Sequence, residues 1–202
     1  MQNSNSGLEI RIHGTDGSVE TFVQGEPTIA DAILKKAQPG RLFGLEKIVI
    51  AGTHSLTAFV PSRLIRIDFV REGAACWAFP SGIVDAFELS EGEFRTKAHL
   101  DDVTNQQKRD QIRTPGEFAV GFLDVEMVGG PHFFLGVEFV VGLPMERLQR
   151  MNLLLSAPSV HFRMREGGFG ALNLSNLVRF TAYPGPPQAP ADAWPAHHKP
   201  KT

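Results

Sequence analysis

The sequence predicts an α+β protein that is mainly β and consists of two similar small β-rich modules. Three observations support this fold class. Both halves of the chain contain short segments in which apolar and polar residues alternate, as they do on a half-buried strand. Each half also contains one amphipathic helical segment, and residues 56–69 recur in similar form as residues 169–182. Together they predict the element order β-β-α-β-β-β in each module, with a tandem duplication as the suspected origin of the pair.

The internal repeat rests on a few identical residues in the same order. The matched pairs are Ala58 with Ala171, Ser62 with Ser175, Leu64 with Leu177, and Arg66 with Arg179. A second pair of segments, 8–14 and 123–129, follows the same order along the chain. Two unrelated segments that share a common strand, turn, strand pattern are the alternative explanation, so the duplication is a hypothesis.

The first module, residues 7–72, is predicted from local patterns. Residues 8–13 and 18–23 alternate on either side of a Gly-Thr-Asp-Gly turn, which predicts a β-hairpin. A helix is predicted to begin at Thr28 and to end before Pro39, because proline cannot continue a helix. Three further strands are predicted at residues 46–51, 56–60 and 64–70.

The second module, residues 118–183, is predicted to repeat this order. A hairpin is expected from residues 122–128 and 133–141 around a Gly-Gly-Pro turn. A helix is expected to open at Pro144, since proline is favourable at the first helical position. Three further strands are predicted at residues 160–165, 172–174 and 177–183.

Two segments lie outside the modules. In the connecting segment, residues 73–117, the first part is rich in large apolar side chains and is expected to pack on a module. From residue 89 onward the composition becomes charged, which predicts a solvated crossing. The last segment, residues 184–202, is rich in proline and is predicted to be a flexible tail, in which Trp194 is the only possible anchor.

Charge and cysteine content exclude several classes of partner. The chain has 20 basic and 22 acidic residues and no basic patch, which argues against nucleic acid or an anionic membrane as a partner. Cys76 is the single cysteine, so an intrachain disulfide is excluded and a reducing compartment is indicated. No run of about 18 apolar residues and no signal-peptide pattern are present. We therefore expect a cytoplasmic protein without membrane insertion or a nucleic-acid partner.

The polar motifs do not predict catalysis. The seven histidines lack the spacing of a zinc site, and Ser62 and Ser175 lack the glycine-flanked turn of a hydrolase nucleophile. The glycines of residues 167–170 lack the lysine and hydroxyl of a phosphate-binding loop. Asp101 and Asp102 lie in the polar crossing, where a solvated surface is expected. We expect no catalytic residue, no metal and no cofactor, and the protein is not expected to be an enzyme.

The strongest functional signal is an apolar hairpin strand in the second module. Residues 132–143 (HFFLGVEFVVGL) are apolar at successive positions, which predicts apolar side chains on both faces of the strand. One face then needs a cover, which the other module, a second subunit or a partner protein would provide. The repeated arginines alternate with buried positions, so they are expected to point to solvent or to the facing module. The predicted interaction residues are Phe133, Phe134, Phe139, Arg66 and Arg179.

These patterns favour a non-catalytic function in protein–protein interaction, as a scaffold or assembly protein. The expected partners are other protein subunits or a second copy of the chain in a homo-oligomer, docked through exposed strand edges and the apolar hairpin. The alternative is a ligand-sensing regulatory domain whose pocket lies between the two modules, lined by Trp77, Phe79 and the arginines. The sequence does not decide whether the modules share one sheet.

Overall fold

The computed structural model of the chain describes residues 7–71, 77–100, 114–185 and 193–194, and these parts contain eleven strands and four helices. The strands are β1 (Leu8–Gly14), β2 (Val19–Gln24), β3 (Ile48–Ala51), β4 (Leu56–Phe59), β5 (Leu64–Val70), β6 (Ile83–Leu89), β7 (Phe118–Met127), β8 (His132–Val140), β9 (Ser159–Arg163), β10 (Phe169–Asn173) and β11 (Leu177–Tyr183). The helices are α1 (Pro27–Lys36), α2 (Pro39–Leu42), α3 (Glu91–Lys97) and α4 (Pro144–Ser156). Short 3-10 turns at Pro61–Arg63 and Leu174–Asn176 precede β5 and β11.

The helix starts follow from residues that satisfy or remove the free N–H groups of the first turn. Helices α1 and α4 both begin at a proline, whose missing N–H is not needed there. Helix α3 begins with a capping box, in which the Glu93 N–H donates to Ser90 Oγ and the Ser90 N–H donates to the Glu93 carboxylate. Here the structure differs from the solvated crossing expected from residue 89 onward, because Phe94 of this helix is buried.

The main sheet has nine strands and brings the two predicted modules into one structure. Its strand order is β11-β7-β8-β6-β9-β10-β5-β1-β2, and all neighbours are antiparallel except β6 and β9. Strand β6 comes from the connecting segment and lies inside the sheet. Strand β10 of the second module pairs directly with β5 of the first, with Phe169 opposite Phe69. The modules therefore share one sheet.

The prediction of a mainly β fold is confirmed, whereas the duplication is not. Strands β5-β1-β2 and β11-β7-β8 stand in the same local order at the two ends of the sheet. However, β3 and β4 form a separate hairpin, while β9 and β10, their counterparts along the chain, belong to the main sheet. Because the element order repeats but the pairing does not, the duplication stays a hypothesis.

The sheet is strongly curved. Gly129, in the turn between β7 and β8, lies so close to the β1–β2 turn that an added Cβ would be 2.8 Å from the Thr15 carbonyl oxygen. In a flat sheet β7 and β1 would be about 29 Å apart, because six intervals of ~4.8 Å separate them. The side-chain amide of Asn176, which precedes β11, adds a second tie, since it donates to the carbonyl oxygen of Leu64 in β5 at 2.8 Å although these strands stand six intervals apart in the sheet.

Apolar clusters cover both faces of the sheet. The concave face is the one on which Arg66 of β5 meets Phe133 of β8, four strands away. Its core includes Leu135, Phe162 and Leu172, all fully buried. On the other face, α1, α2 and the β3–β4 hairpin cover the end that contains β1 and β5, and α3 covers the end that contains β7 and β8.

Candidate functional site

The three aromatic residues predicted to form an interaction surface are covered by other parts of the chain. Phe133 contacts the guanidinium of Arg66, with 5.1 Å between Cζ and the ring centroid. Phe134 points to the opposite face of β8 and packs against Phe94, with ring centroids 4.8 Å apart. Phe139 lines a cavity beside α4. Contacts within the chain thus provide much of the cover that the apolar hairpin requires.

Arg66 is buried, with 7% of its surface exposed, and belongs to an ionic cluster on the concave face. Its Nε lies 2.5 Å from Asp68 Oδ1, and its Nη1 lies 2.7 Å from Glu88 Oε1. His13 Nε2 is 2.9 Å from the other oxygen of Asp68, and the Phe162 ring lies 5.1 Å from the Arg66 Cζ. Arg66 does not point to solvent, and its contacts with Phe133 and Phe162 correspond to the other alternative given by the sequence, which is contact with the facing module.

The ionic cluster is internally satisfied. Burial by itself lowers the pKa of Arg66, but the charges and hydrogen bonds of Asp68 and Glu88 outweigh it, so the pKa is raised overall. A buried guanidinium that is held by two carboxylates and two aromatic rings has its charge neutralised by the protein itself. We interpret the cluster as a link between β1, β5 and β6 and not as a ligand site.

Arg179 does not join Arg66. It lies on the edge strand β11 with 54% of its side chain exposed, and its Nη2 is 3.1 Å from Glu126 Oε2. Of the five predicted residues, the structure brings together Phe133 and Arg66. It places Phe134, Phe139 and Arg179 elsewhere.

The histidines and acids weighed for metal binding or catalysis have other surroundings. His132 Nδ1 lies 2.8 Å from Asp124 Oδ1 on the neighbouring strand β7. His13 pairs with Asp68 inside the ionic cluster. Cys76, Asp101 and Asp102 lie outside the residues that the structure describes.

A cavity of about 240 Å³ lies between α4, the segment before β6, and strands from the second module. Its walls are mostly apolar. Representative lining residues are Ile83, Ala86, Leu123, Val137, Met151 and Leu154. The pocket weighed from the sequence was placed between the two modules, and this cavity lies elsewhere. Its described walls come from the connecting segment, the second module and the first residues after it, with none from residues 7–72.

Arg150 of α4 is one of the residues that line this cavity, and its guanidinium lies against Gly82, between the lining residues Ser81 and Ile83. Its Nη1 donates to the carbonyl oxygen of Val140, and the guanidinium lies over Gly82, where an added Cβ would be 2.5 Å from Cζ. Gly82 has a φ of 85°, so glycine supplies both the space and the backbone conformation. Within the described residues, no carboxylate forms an ion pair with Arg150. Glu146, one helical turn earlier, instead accepts the Leu143 N–H at 2.9 Å.

His161 of β9 also lies in the wall of the cavity. Its ring stacks on Phe79 with 4.5 Å between centroids and an interplanar angle of 8°, and it meets the edge of Trp77. Burial lowers the pKa of His161, and a hydrogen bond to the Trp77 backbone only partly offsets this, so the neutral ring is favoured. Its Nε2 is buried and has no hydrogen-bond partner in the described part of the chain.

Sequence reasoning named part of this site. Phe79 was expected in a pocket between the modules and instead lines this cavity, whereas Trp77 lies behind His161 and outside the described wall. Arg150 and His161 were missed, because each belongs to an element whose pattern predicts only which face is apolar. The one available signal was Arg150 itself, a charged residue that directly precedes the apolar Met151 in the predicted helix.

The fold and site define a mainly β protein with an apolar cavity whose wall carries one arginine and one histidine. Comparisons with known proteins add no family to this description. No family model matches the chain, and no curated protein or solved structure matches it either. Among the helices that the structure describes, none has the length and apolar character needed to cross a membrane.

Proposed function

We propose that the protein is a non-catalytic binding module for a small apolar ligand, which occupies the cavity beside α4. The observation that carries the proposal is the cavity itself, about 240 Å³ in volume and lined mostly by apolar side chains. Apolar concavities with a few polar groups are the usual form of a small-molecule site. Since an apolar cavity of about 150 Å³ suffices for benzene, this one suits a ligand of roughly ten non-hydrogen atoms.

The side chains of the cavity wall favour binding over chemical conversion. Among the described residues that line it, none is a carboxylate or a cysteine. A catalytic histidine is commonly oriented by a carboxylate, and a thiol is a common nucleophile. His161 instead packs between Phe79 and Trp77, which suits a residue of the wall.

The proposal is tested by calorimetric titration of the purified full chain with 1-octanol, a neutral apolar probe of suitable size. Ala182 lines the cavity from β11, so Ala182→Leu fills part of the space and is expected to weaken binding about tenfold or more. Thr181→Leu is the matched control, because Thr181 points to the opposite face of the same strand. Absence of saturable binding to the wild type, or equal binding by Ala182→Leu, would count against the proposal.

Assembly with other protein subunits or with a second copy is the second candidate function. The observation that favours it is the pair of outer strands, β2 and β11. Val23 on β2 is 74% exposed, and Val178 on β11 is 57% exposed. Strand edges with exposed apolar side chains are templates for β-pairing between chains. Light scattering of the wild type beside Val178→Lys tests it, and a monomeric wild type over a wide concentration range would argue against self-assembly.

We place this binding function in the cytoplasm. The single cysteine in 202 residues supports a reducing compartment. Fractionation of cells that express the full chain tests the location, and recovery outside the cytoplasmic fraction would contradict it.

A further inference from the structure

The cavity volume indicates the size of the ligand, and Arg150 indicates its charge. We propose that the ligand is a medium-chain carboxylate, whose carboxylate group binds Arg150 and whose hydrocarbon tail fills the cavity. This inference rests on the proposed function and adds to it the chemical class of the ligand. It depends on the hydrogen bonding of the arginine, its neighbours, and the volume of the cavity.

The hydrogen bonding of Arg150 is incomplete. A guanidinium carries five N–H donors, and among the described residues this one has a single acceptor, the carbonyl oxygen of Val140. The side chain is half-buried in the wall of an apolar cavity, where water solvates a charge less well than at an open surface. A carboxylate can accept two parallel N–H bonds from a guanidinium, so it is a well-matched ligand group for the remaining donors.

Arg66, the buried arginine of the ionic cluster, shows the contrast. Arg66 is held by Asp68 and Glu88, which neutralise its charge within the protein. Arg150 has no carboxylate within ion-pair distance in the described residues, and the carboxylate nearest along its helix, Glu146, is engaged with the Leu143 N–H. Among the described residues, the cavity arginine therefore lacks the direct ion pair that the structural arginine has, and a bound anion would supply one.

The volume and the apolar wall of the cavity indicate the length and the hydrocarbon character of the rest of the ligand. The cavity of about 240 Å³ is lined by Leu123, Val137 and Leu154 beyond the arginine, so it favours a hydrocarbon chain over a polar body. A carboxylate at one end and an unbranched tail of moderate length match both parts of the site. Octanoate fits the estimate of roughly ten non-hydrogen atoms, and it is the probe we would use.

The test compares octanoate with 1-octanol, which has the same chain length and no charge. Calorimetric titration of the full chain is expected to give an affinity about tenfold or more higher for octanoate, because a charge-assisted hydrogen bond adds to the burial of the tail. Arg150→Gln keeps a donor for the Val140 carbonyl and removes the charge, so it should abolish this preference. The variant should bind octanoate and 1-octanol with affinities within about twofold of each other, and its circular dichroism spectrum, compared with the wild type, reports that it is folded.

Two further variants complete the design. Arg150→Lys keeps the charge without the planar donor pair and should retain only part of the preference. Arg179→Gln removes an exposed arginine on β11 that pairs with Glu126, and it should change neither affinity. Equal affinity of the wild type for octanoate and 1-octanol, or a preference that survives in Arg150→Gln, overturns the inference and leaves the proposed function standing. If the wild type binds neither octanoate nor 1-octanol, both the inference and the proposed function are overturned.

Discussion

At the scale of single residues, His161 couples the cavity wall to the aromatic cluster behind it. The ring is parallel to Phe79 and perpendicular to Trp77, and Trp77 in turn packs edge-on against Phe69. Because the Nε2 atom is the one without a partner, the bond to the Trp77 backbone uses Nδ1. The ring is therefore held as the neutral tautomer with its proton on Nδ1.

This environment predicts that His161 destabilises the fold in mild acid. The folded-state pKa is lowered below the ordinary value of 6.5, so folding favours the neutral ring. The stabilisation is complete above pH 6.5 and is lost as the pH falls from there through the lower folded-state pKa. Free energies of unfolding in urea at about pH 7.5 and about pH 5.5 should show a larger loss for the wild type than for His161→Phe.

His132→Gln is the control for this prediction, since His132 is exposed and pairs with Asp124 on the sheet surface. It should keep the acid sensitivity that His161→Phe reduces. An equal loss of stability in the wild type and in His161→Phe would show that other groups carry the pH dependence.

The surroundings of Arg66 could be predicted from the sequence only in part. Alternation in β5 correctly predicts that Arg66 and Asp68 share a face, but it places Leu64 there too, whereas a register shift at the start of the strand turns Leu64 to the other face. Alternation also does not tell that both faces of β5 are buried. The curvature of the sheet encloses the face of Arg66, and the carboxylates of Asp68 and Glu88 allow the arginine to be buried there. Glu88 lies on a distant strand in a segment expected only to pack on a module, so the sequence offered no reason to pair it with Arg66.

At the scale of elements, α3 shows how a short polar helix is retained by a cap and a single anchor. Phe94 is 1% exposed and contacts Phe122, Phe134 and Tyr183. The rest of the helix is charged, with Glu91 and Glu93 in the first turn and basic residues in the last, which suits the helix dipole. Its capping box therefore positions the aromatic side chain that covers one face of the β7–β8 hairpin.

We predict that Ser90→Ala destabilises the protein by about 1 kcal/mol, because it removes the side chain that accepts the Glu93 N–H. Urea unfolding followed by circular dichroism measures the change. Thr96→Ala is the matched control, since the Thr96 hydroxyl donates to the Gly92 carbonyl within the same helix and caps nothing. An effect of Ser90→Ala no larger than that of Thr96→Ala would contradict the role assigned to the cap.

Most elements could be predicted from local patterns, and the exceptions have a physical cause. The β1–β2 and β7–β8 hairpins form as predicted, as do α1 and α4, because periodicity and turn residues are local signals. Helix α3 was missed although Ser90 and Glu93 carry the capping-box spacing, because one phenylalanine among charged residues gives no apolar stripe. The cavity was missed for a different reason. It is a gap left where elements that are far apart in the chain pack together, and local patterns do not predict such packing.

At the scale of the whole molecule, the two modules defined by the sequence depend on each other. Strand β5 pairs with β10, and Arg66 of the first module contacts Phe133 and Phe162 of the second. Strand β6, between β8 and β9 in the sheet, belongs to neither module. Pairings of this kind join residues far apart in the chain, and no local pattern in one sequence predicts them.

This arrangement predicts that residues 7–72 and 118–185, expressed separately, do not fold. The first fragment loses the partner of β5, and the second loses β6 as well as β5. Amide proton spectra of each fragment should show poor dispersion, whereas the full chain should show good dispersion and one unfolding transition by fluorescence and circular dichroism. A dispersed spectrum from either fragment would indicate autonomous modules in place of one shared sheet.

The bonds of Asn173 also bear on how the chain is made. This residue links β10 to the turn before β5 by donating to the Pro61 carbonyl, which lies 112 positions earlier. At a synthesis rate of about 5–20 residues per second, the N-terminal strands wait on the order of ten seconds before that partner leaves the ribosome. During this interval the edge of β5 is unpaired and apolar. Its pairing with β10 is slow, because the two strands are far apart in the chain. The pairing of β10 with β5 therefore leaves the nascent chain with an unpaired strand edge during synthesis, and this edge favours mispairing and aggregation.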